Sequence, residues 1–459
     1  QHVDLMTFSN ALIDTLLWTM AISIAVPLIV FGSECLLAML RKDKKRPLER
    51  VASDTEAIDP KSRAAVDVII PAHNEQLGLV RTLDSVTAAL RPGDHLYLVA
   101  DNCSDNTAEI AHQFAANLAS RSMTVLERLD SQNRGKDYAL RFAFDALDLL
   151  TPPESIASPK STSLPKSISP PESTSLPKST SPPESTPQSD RVVVIVDADC
   201  KVWPDTIDRL AIQVTQTQRP AQACYLMQQP ESIPITPPGA LSEFAFTVKN
   251  FVRPLGLTRI GGGCTLFGSG MAFPRHALKQ LSAPGGHLVE DMRWTFDMIL
   301  AGYPVQYCPD AKCLATFPTH VTAADTQRRR WEHGHLQLIG SQVPRLIRGW
   351  TRNPTRYCLL AALDLVVLPL SLLMIAAAII GTLLAIAAWL GYAIGPLVTW
   401  LIAMSIASVG LGLAWARFCP RRATMGMIFA IPFYAIRKLP LYTSFIFHPE
   451  RVWIRTDRN

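Results

Sequence analysis

A short run of β-branched residues that ends in two carboxylates places the strongest constraint on the fold. Val192 to Val196 reads Val-Val-Val-Ile-Val, and Asp197 and Asp199 follow it. The length and composition of this run predict a buried parallel strand. Alternate residues on an extended backbone project to the same side, so both carboxylates can meet one ligand at the carboxyl end of the strand. Two hard oxygen ligands suit a Mg²⁺ or Mn²⁺ ion that also holds a diphosphate, although an ordinary polar turn uses the same residues.

Short apolar runs alternate with helical patterns along the middle of the chain. Predicted strands lie at Val66–Ala72, His95–Asp101, Thr124–Glu127, Val192–Val196, Cys224–Gln229 and Val305–Tyr307, and predicted helices at Gln76–Leu90, Ser104–Ala119, Gly135–Leu150, Leu241–Val252, Glu290–Leu300 and Asp325–Leu338. This alternation predicts a mainly parallel sheet with right-handed crossovers. The stretch from Arg259 to Pro274 is interpreted only as a glycine-rich segment.

A low-complexity segment from Thr151 to Asp190 interrupts the alternation. Ser163–Thr174 and Ser175–Thr186 are near copies of one repeat, rich in Pro, Ser and Thr. Because the segment has almost no large apolar side chains, we predict a disordered insert between a helix and a strand. A docking segment for another protein is the alternative to a tolerated expansion.

Apolar residues crowd into segments near both ends of the chain. Three stretches are long and apolar enough to predict spanning helices: Leu16–Leu37, Leu359–Leu390 with a kink at Pro369, and Ile394–Ala414. Glu34 is expected at the membrane interface. Basic residues follow the first stretch and precede the second, so the positive-inside rule places the middle of the chain in the cytoplasm. Arg437, Lys438 and two prolines interrupt Met425–Phe447, which we predict to be an interfacial helix.

These patterns divide the chain into five parts. They are a spanning helix at 1–40, a basic linker at 41–65, an α/β domain at 66–345 that carries the insert at 151–190, a membrane hairpin at 346–424, and an interfacial helix with a tail at 425–459. The net charge of +5 is modest, and the basic residues cluster beside the apolar segments. This placement favours a multi-pass protein of the cell membrane over a nucleic-acid-binding protein.

Polar residues follow the first two predicted strands. Pro71 is expected to end the hydrogen-bond ladder of the first strand, and Asn74 and Glu75 can hydrogen-bond a nucleotide or form the first turn of a helix. Asp101 ends the second strand and is interpreted as an acceptor for a base or ribose. Further along, Lys136 lies in a glycine-containing turn before a helix, an arrangement that suits phosphate or a solvated basic turn.

Two more motifs lie after the glycine-rich segment. Glu290 and Asp291 open a helix, where acids interact well with the helix dipole, and Asp291 can also act as a general base. Gln327, Arg330 and Trp331 can line a pocket, with the guanidinium facing a diphosphate, or form a basic face near the membrane.

Together, these motifs resemble those of the membrane-bound family-two glycosyltransferases, which include the cellulose, hyaluronan and poly-N-acetylglucosamine synthases. The matching elements are Pro-Ala-His-Asn-Glu from Pro71, the Asp after strand two, Asp-X-Asp at Asp197, the Glu-Asp pair at Glu290 and Gln-X-X-Arg-Trp at Gln327. The resemblance covers roughly Val66 to Gly340. It implies an α/β GT-A fold, Rossmann-like with a mainly parallel sheet, and flanking transmembrane helices.

The resemblance also implies roles for individual residues. Asp101 would contact uridine, Lys136 the diphosphate, and Asp197 with Asp199 the nucleotide sugar and its Mg²⁺ or Mn²⁺. Asp291, beside Glu290, would be the base of an inverting displacement. Gln327, Arg330 and Trp331 would form the acceptor and diphosphate site, and Gly268 and Gly270 belong to a segment like the loop that lines the acceptor site. Two positions differ from the family pattern. The Glu290–Asp291 pair is preceded by Val, where Thr is commoner, and Asp101 does not belong to the frequent Asp-Asp-Gly sequence.

The first hypothesis is therefore a metal-dependent glycosyltransferase that uses a UDP-sugar to extend a polysaccharide at the cytoplasmic face of the inner membrane. Its expected partners are the nucleotide sugar, a glycan or lipid acceptor, membrane lipids and export or assembly subunits, without nucleic acid. Transfer of a single sugar to a lipid or another membrane acceptor is the second hypothesis. A non-catalytic membrane subunit that senses nucleotide sugars is the third, and the complete set of acids argues against it.

Overall fold

The computed structural model describes residues 2–40, 63–118, 122–150, 191–230, 234–285, 287–318, 321–419, 426, 433 and 436–447. The repeat insert and nearly all of the basic linker lie outside the described residues, as do nine residues in the first half of the predicted interfacial helix at Met425–Phe447.

An eight-stranded sheet forms the centre of the protein. Its strands are β1 (Val66–Ala72), β2 (His95–Asp101), β3 (Met123–Arg128), β4 (Val192–Ile195), β5 (Lys201–Val202), β6 (Ala221–Gln228), β7 (Met271–Pro274) and β8 (Gln306–Thr316). Their order is β3-β2-β1-β4-β7-β6-β8-β5. The first four strands in this order are parallel, as are β6 and β8, whereas β7 and β5 run antiparallel to their neighbours. The prediction of a mainly parallel sheet is confirmed.

The helices are α1 (His2–Ala38), α2 (Leu79–Thr87), α3 (Thr107–Asn117), α4 (Lys136–Leu150), α5 (Thr206–Thr217), α6 (Pro237–Thr247), α7 (Arg253–Arg259), α8 (Glu290–Leu300), α9 (Val321–Arg352), α10 (Arg356–Leu365), α11 (Leu370–Trp389), α12 (Gly395–Phe418) and α13 (Leu439–Phe447). A π-helical turn at Val248–Val252 joins α6 to α7, and a 3₁₀ helix at Arg275–Gln280 follows β7.

Strand β1 has the predicted bounds, Val66–Ala72, but its pairing with β2 continues through Pro71 to Ala72, so the prediction that Pro71 ends the ladder was wrong. Pro71 pairs in register with Val99 of β2. Val196 N–H donates to Ile69 O, and β4 makes its last pairing with β1 at Ile69. Because alternate residues face the same neighbour, the missing N–H of Pro71 points past the end of β4, where no ladder bond is lost.

Strand β7 lies within the segment that the sequence showed only as glycine-rich. All four of its residues are buried, and it pairs with both β4 and β6. Strand β8 is also longer than the predicted Val305–Tyr307, and a register shift occurs where it pairs with Ala223 and Cys224. Both strands obtain their stability from neighbouring strands, which a local pattern does not show.

Buried apolar side chains form a cluster on each face of the sheet. One cluster contains Val68 and Val194 and packs against α2 and α5. The other contains Ile69 and Ile195 and extends without interruption into the apolar helices, reaching Phe31 of α1. The sheet and the apolar helices therefore share one hydrophobic core.

Three of the described helices are long and apolar enough to cross a membrane: Ala11–Ala38 within α1, and α11 and α12 in full. The expected span at Leu359–Leu390 is instead two helices. It breaks between α10 and α11, where Pro369 caps α11 in an extended conformation, since proline lacks the N–H that a continuous helix needs. Helix α9 continues well past the predicted Leu338, because Leu346 is fully buried against neighbouring helices.

Helix α1 packs tightly against α7. A Cβ atom placed on Gly256 would lie only 1.9 Å from the carbonyl oxygen of Glu34. Glu34 is buried, with 3% of its side chain exposed, and pairs with Arg253 at 2.6 Å; its expected position at the membrane interface stays a prediction. A partner from the folded domain, rather than headgroups and water, compensates this carboxylate.

Candidate active site

The Asp-X-Asp motif lies directly after β4, at the edge where the parallel strands end. Asp197 N–H donates to Ser269 Oγ at 3.0 Å, which fixes the backbone where the strand turns. Asp197, Asp199 and Cys200 each place one possible ligand atom within 4.8 Å of the others. The two carboxylates therefore come together as predicted.

The donor atoms fit a hard divalent cation. Two of them are carboxylate oxygens, which Mg²⁺ and Mn²⁺ prefer. Burial raises the pKa of the Cys200 thiol, so it stays protonated, and its Sγ lies 3.4 Å from Asp199 Oδ1 as a donor. Asp197 and Asp199 are thus the residues that can hold Mg²⁺ or Mn²⁺, with the thiol as a neighbour.

Gly268 marks the point where the other candidate groups meet. Its φ is +91°, and a Cβ atom there would lie 3.2 Å from Asp291 Oδ2, 3.5 Å from Lys136 Nζ and 3.8 Å from Asp197 Oδ2. Both the backbone conformation and the space favour glycine. The structure therefore brings together residues from α4, β4, α8 and the glycine-rich segment.

Lys136, the first residue of α4, supplies the positive charge among the side chains around Gly268. Its Nζ forms an ion pair with Asp197 and donates to Gly268 O at 2.6 Å. Burial opposes the charged form, but the nearby carboxylates, Asp197 first, outweigh it and raise the pKa of Lys136 to about 12. A permanently charged ammonium next to the metal ligands suits a diphosphate.

The acidic pair opens α8 as predicted. Burial and the charge of Asp291 raise the pKa of Glu290 to about 8, and burial also raises the pKa of Asp291, against the opposing charge of Lys136. Asp291 Oδ1 accepts from Met292 N–H at 2.8 Å, which orients its carboxyl group. The pair can therefore hold and release a proton at the site.

The Gln-X-X-Arg-Trp residues lie in the first half of α9. Gln327 is 3% exposed, and the Nε of Arg330 is buried without a hydrogen-bond partner among the described residues. The charge of Arg330 lowers the pKa of both Glu290 and Asp291, so it lies near the acidic pair. Trp331 packs against Phe246, with ring centroids 5.8 Å apart. An unsatisfied guanidinium N–H near the acids is a donor available to an anionic ligand.

The remaining predicted residues lie at the ends of β1 and β2. Asp101 Oδ1 accepts from Arg128 Nη1 at 2.6 Å, so its carboxylate is held by a neighbouring strand. Asn74 adopts a φ of +55° and bonds Ser104 through both amide atoms. Glu75 N–H donates to the hydroxyl of Thr107. These contacts order the sheet edge, and direct contact of Asp101, Asn74 and Glu75 with a nucleotide remains a prediction.

Several contacts that build the site were not predicted, although Ser269 belongs to the Phe267–Met271 segment that the resemblance relates to the loop lining the acceptor site. Ser269 and Arg128 contact Asp197 and Asp101 directly, and Lys249 of the π-helical turn lies close enough to Asp291 to lower its pKa. The sequence signals for Ser269 were its position between two glycines and the resemblance of that segment to an acceptor-site loop.

The sheet topology and the acids at its edge define a GT-A-like protein. In fold, the chain is similar to the mannosyltransferase PcManGT from Pyrobaculum calidifontis in complex with GDP-Man and Mn²⁺, at 18% identity, a TM-score of 0.50, and coverage of 95% of this chain and 100% of that chain.

Residues 63–334, more than half of the chain, match the family model described as "Glycosyltransferase like family 2", and the protein belongs to this family. Weaker structural similarities connect it to TarS from S. aureus (13% identity, TM-score 0.35, 64% of this chain and 44% of that one) and to GalNAc-T7 with UDP, GalNAc and Mn²⁺ (11%, 0.38, 66% and 56%). TM-scores this low do not bear on the fold. No curated protein sequence matches the chain significantly.

Proposed function

We propose that the protein is an inverting, metal-dependent glycosyltransferase of the cell membrane. It transfers a sugar from a nucleotide sugar to a growing polysaccharide at the cytoplasmic face. The observation that carries this proposal is the meeting of Asp197, Lys136 and Asp291 around Gly268. It combines a metal ligand, a cation for a diphosphate and a base within one small volume.

The residues assigned to the nucleotide sugar are those that can bind its diphosphate. Asp197 and Asp199 would hold Mg²⁺ or Mn²⁺, and the bound ion would supply positive charge for the leaving diphosphate. Lys136, which is ion-paired with Asp197, would add a second positive charge next to these carboxylates. PcManGT was solved with GDP-Man and Mn²⁺, which supports a nucleotide-sugar donor, while the sequence motifs favour UDP as the nucleotide.

Asp291 is the residue proposed to accept the proton. The acceptor hydroxyl oxygen attacks the anomeric carbon, the bond to the diphosphate oxygen breaks, and the hydroxyl proton moves to the carboxylate of Asp291. Attack opposite the leaving group inverts the anomeric configuration. Glu290, whose pKa is raised to about 8, stays largely protonated at neutral pH and leaves the negative charge with Asp291.

The acceptor side is assigned to Gln327, Arg330 and Trp331. The aromatic ring offers a surface for a sugar, and the buried guanidinium offers a donor to the diphosphate. Transfer of a single sugar to a lipid acceptor is the second candidate, because the described apolar helices that can cross a membrane form a small group. Export or assembly subunits would be partners of the first candidate only.

The test incubates the purified protein in lipid nanodiscs with UDP-Glc, UDP-GlcNAc or GDP-Man and with Mg²⁺ or Mn²⁺. We expect metal-dependent transfer, and product length separates polymer extension from single transfer. Asp291→Asn should lower turnover by about 10²–10⁴-fold. Asp145→Asn, the same change at an exposed helical position, is the matched control. Full turnover in Asp291→Asn would refute the assignment of the base.

A further inference from the structure

Gln222 is a fully buried polar residue in β6 that the proposed chemistry does not use. It is 0% exposed, and both ends of its side-chain amide contact the loop before β7. Oε1 accepts from Phe267 N–H at 2.9 Å, and Nε2 donates to Ser269 O at 2.8 Å. Nε2 also donates to Ala223 O at 2.9 Å. A backbone N–H needs an acceptor and a carbonyl needs a donor, so this pattern defines the orientation of the amide.

The loop from Phe267 to Gly270 touches both halves of the candidate active site. Ser269 Oγ accepts from Asp197 N–H, and Gly268 O accepts from Lys136 Nζ. Just before the loop, Leu266 N–H donates to Thr295 Oγ1, which in turn donates to the carbonyl of Asp291. The position of this loop therefore affects the metal ligand, the diphosphate cation and the base together.

The loop cannot hold its shape through ordinary strand pairing. Gly268 and Gly270 have φ values of +91° and +67°, which interrupt an extended backbone. Gly270 N–H bonds Ile195 O and its carbonyl bonds Ala223 N–H, but Phe267 N–H and Ser269 O turn toward the side chain of Gln222. The side-chain amide of Gln222 thus hydrogen-bonds two backbone groups, Phe267 N–H and Ser269 O, that strand pairing leaves without a partner.

We propose that Gln222 is a positioning residue that holds the Phe267–Gly270 loop and, through Ser269 and Gly268, keeps Asp197 and Lys136 in place for the metal and the diphosphate. The inference rests on the proposed function for its effect on turnover. Its effect on the metal site depends only on the contacts given above. No other chain element among the described residues bonds both Phe267 N–H and Ser269 O.

The test compares Gln222→Met with Gln222→Glu. Methionine has a similar length but leaves both loop groups unpaired, so the loop shifts. A misplacement of about 1 Å can cost on the order of 10²-fold in rate, and we expect turnover to fall about 10–100-fold. We also expect about a 10-fold rise in the Mn²⁺ concentration for half-saturation in the presence of UDP, measured by electron paramagnetic resonance of free Mn²⁺.

Gln222→Glu is the conservative variant that separates positioning from simple loss of packing. A carboxyl buried against Ser269 O stays protonated, so it keeps one donor and one acceptor. We expect its Mn²⁺ affinity and turnover to lie between those of the wild type and Gln222→Met. Gln216→Met, on the exposed face of α5, is the matched chemical control and should behave as the wild type.

Leu83→Ala provides the control for stability, because Leu83 is 0% exposed in α2 and lies outside the loop contacts. It should lower the unfolding temperature but leave Mn²⁺ affinity unchanged. Wild-type Mn²⁺ affinity in Gln222→Met, or equal loss in Leu83→Ala, would overturn the inference. A wild-type protein that binds Mn²⁺ but transfers no sugar would refute the proposed function instead, and the Mn²⁺ measurement would still decide the role of Gln222.

Discussion

Replacing Arg253 with methionine should loosen the attachment of α1 to the folded domain. Arg253 lies in α7 and forms ion pairs with Glu34 of α1 at 2.6 Å and with Asp364 of α10 at 2.5 Å. It also donates to the carbonyl of Asp364 at 3.0 Å. Arg253→Met keeps the apolar stem and removes the charge, so two largely buried carboxylates lose their shared cation.

The size of the effect follows from the burial of these groups. The side chains of Glu34 and Arg253 are 3% and 11% exposed, so solvent screens the charges poorly. Removing one partner of a buried pair costs about 3–5 kcal/mol, because the other charge remains uncompensated. The exposed pair Arg141–Asp145, with 52% and 55% exposure, should contribute only about 0.3–0.5 kcal/mol.

The assay is thermal unfolding of the protein in nanodiscs, followed by tryptophan fluorescence. At about 2 °C per kcal/mol, Arg253→Met should lower the apparent unfolding temperature by about 6–10 °C and Arg141→Met by about 1 °C or less. The double variant Glu34→Gln, Arg253→Met should regain part of the lost unfolding temperature, because the unpaired charge of Glu34 is removed as well. Equal unfolding temperatures for Arg253→Met and Arg141→Met would refute the reasoning.

Two further predictions concern the site. Asp199→Ala should abolish Mn²⁺-dependent binding of UDP in a calorimetric titration, and an unchanged affinity would remove Asp199 from the metal site. The pKa of Glu290 is raised from 4.5 to about 8, so its contribution to the free energy of unfolding is complete below pH 4.5 and is lost as the pH rises through about 8. The unfolding temperature of the wild type should therefore fall more between pH 5 and pH 8 than that of Glu290→Gln; parallel pH curves would contradict this.

Elements with strong local patterns were predictable from the sequence. The run at Val192 is β-branched and uninterrupted, and Glu290 places two acids at a helix start, so strand and helix appear where expected. Strand β7 was not predictable, because its four residues follow glycines and depend on pairing with β4 and β6. The break at Pro369 was expected only as a kink, since apolar composition alone does not show where a helix ends.

The site was predictable where a motif supplies the residues and not where distant partners hold them. Asp197, Asp291 and Lys136 each belong to a short recognisable motif. Gln222 and Phe267 are 45 positions apart, and Glu34 and Arg253 are 219 apart. A buried hydrogen bond or ion pair between such positions leaves no periodic pattern, because it depends on how strands and helices cross in space.

The close contact between Gly256 and Glu34 joins the sheet domain directly to α1, a helix that is long and apolar enough to cross a membrane. Because α7 packs directly against the backbone of α1, the sheet domain is held to this helix by a helix–helix contact as well as by the connecting chain. Under the proposed function, an acceptor would have to bring its reactive hydroxyl to a site whose position relative to α1 is set by this contact. For polymer synthesis, the chain would therefore have to advance by one sugar after each addition, past a stationary site, instead of the site following the end of the chain.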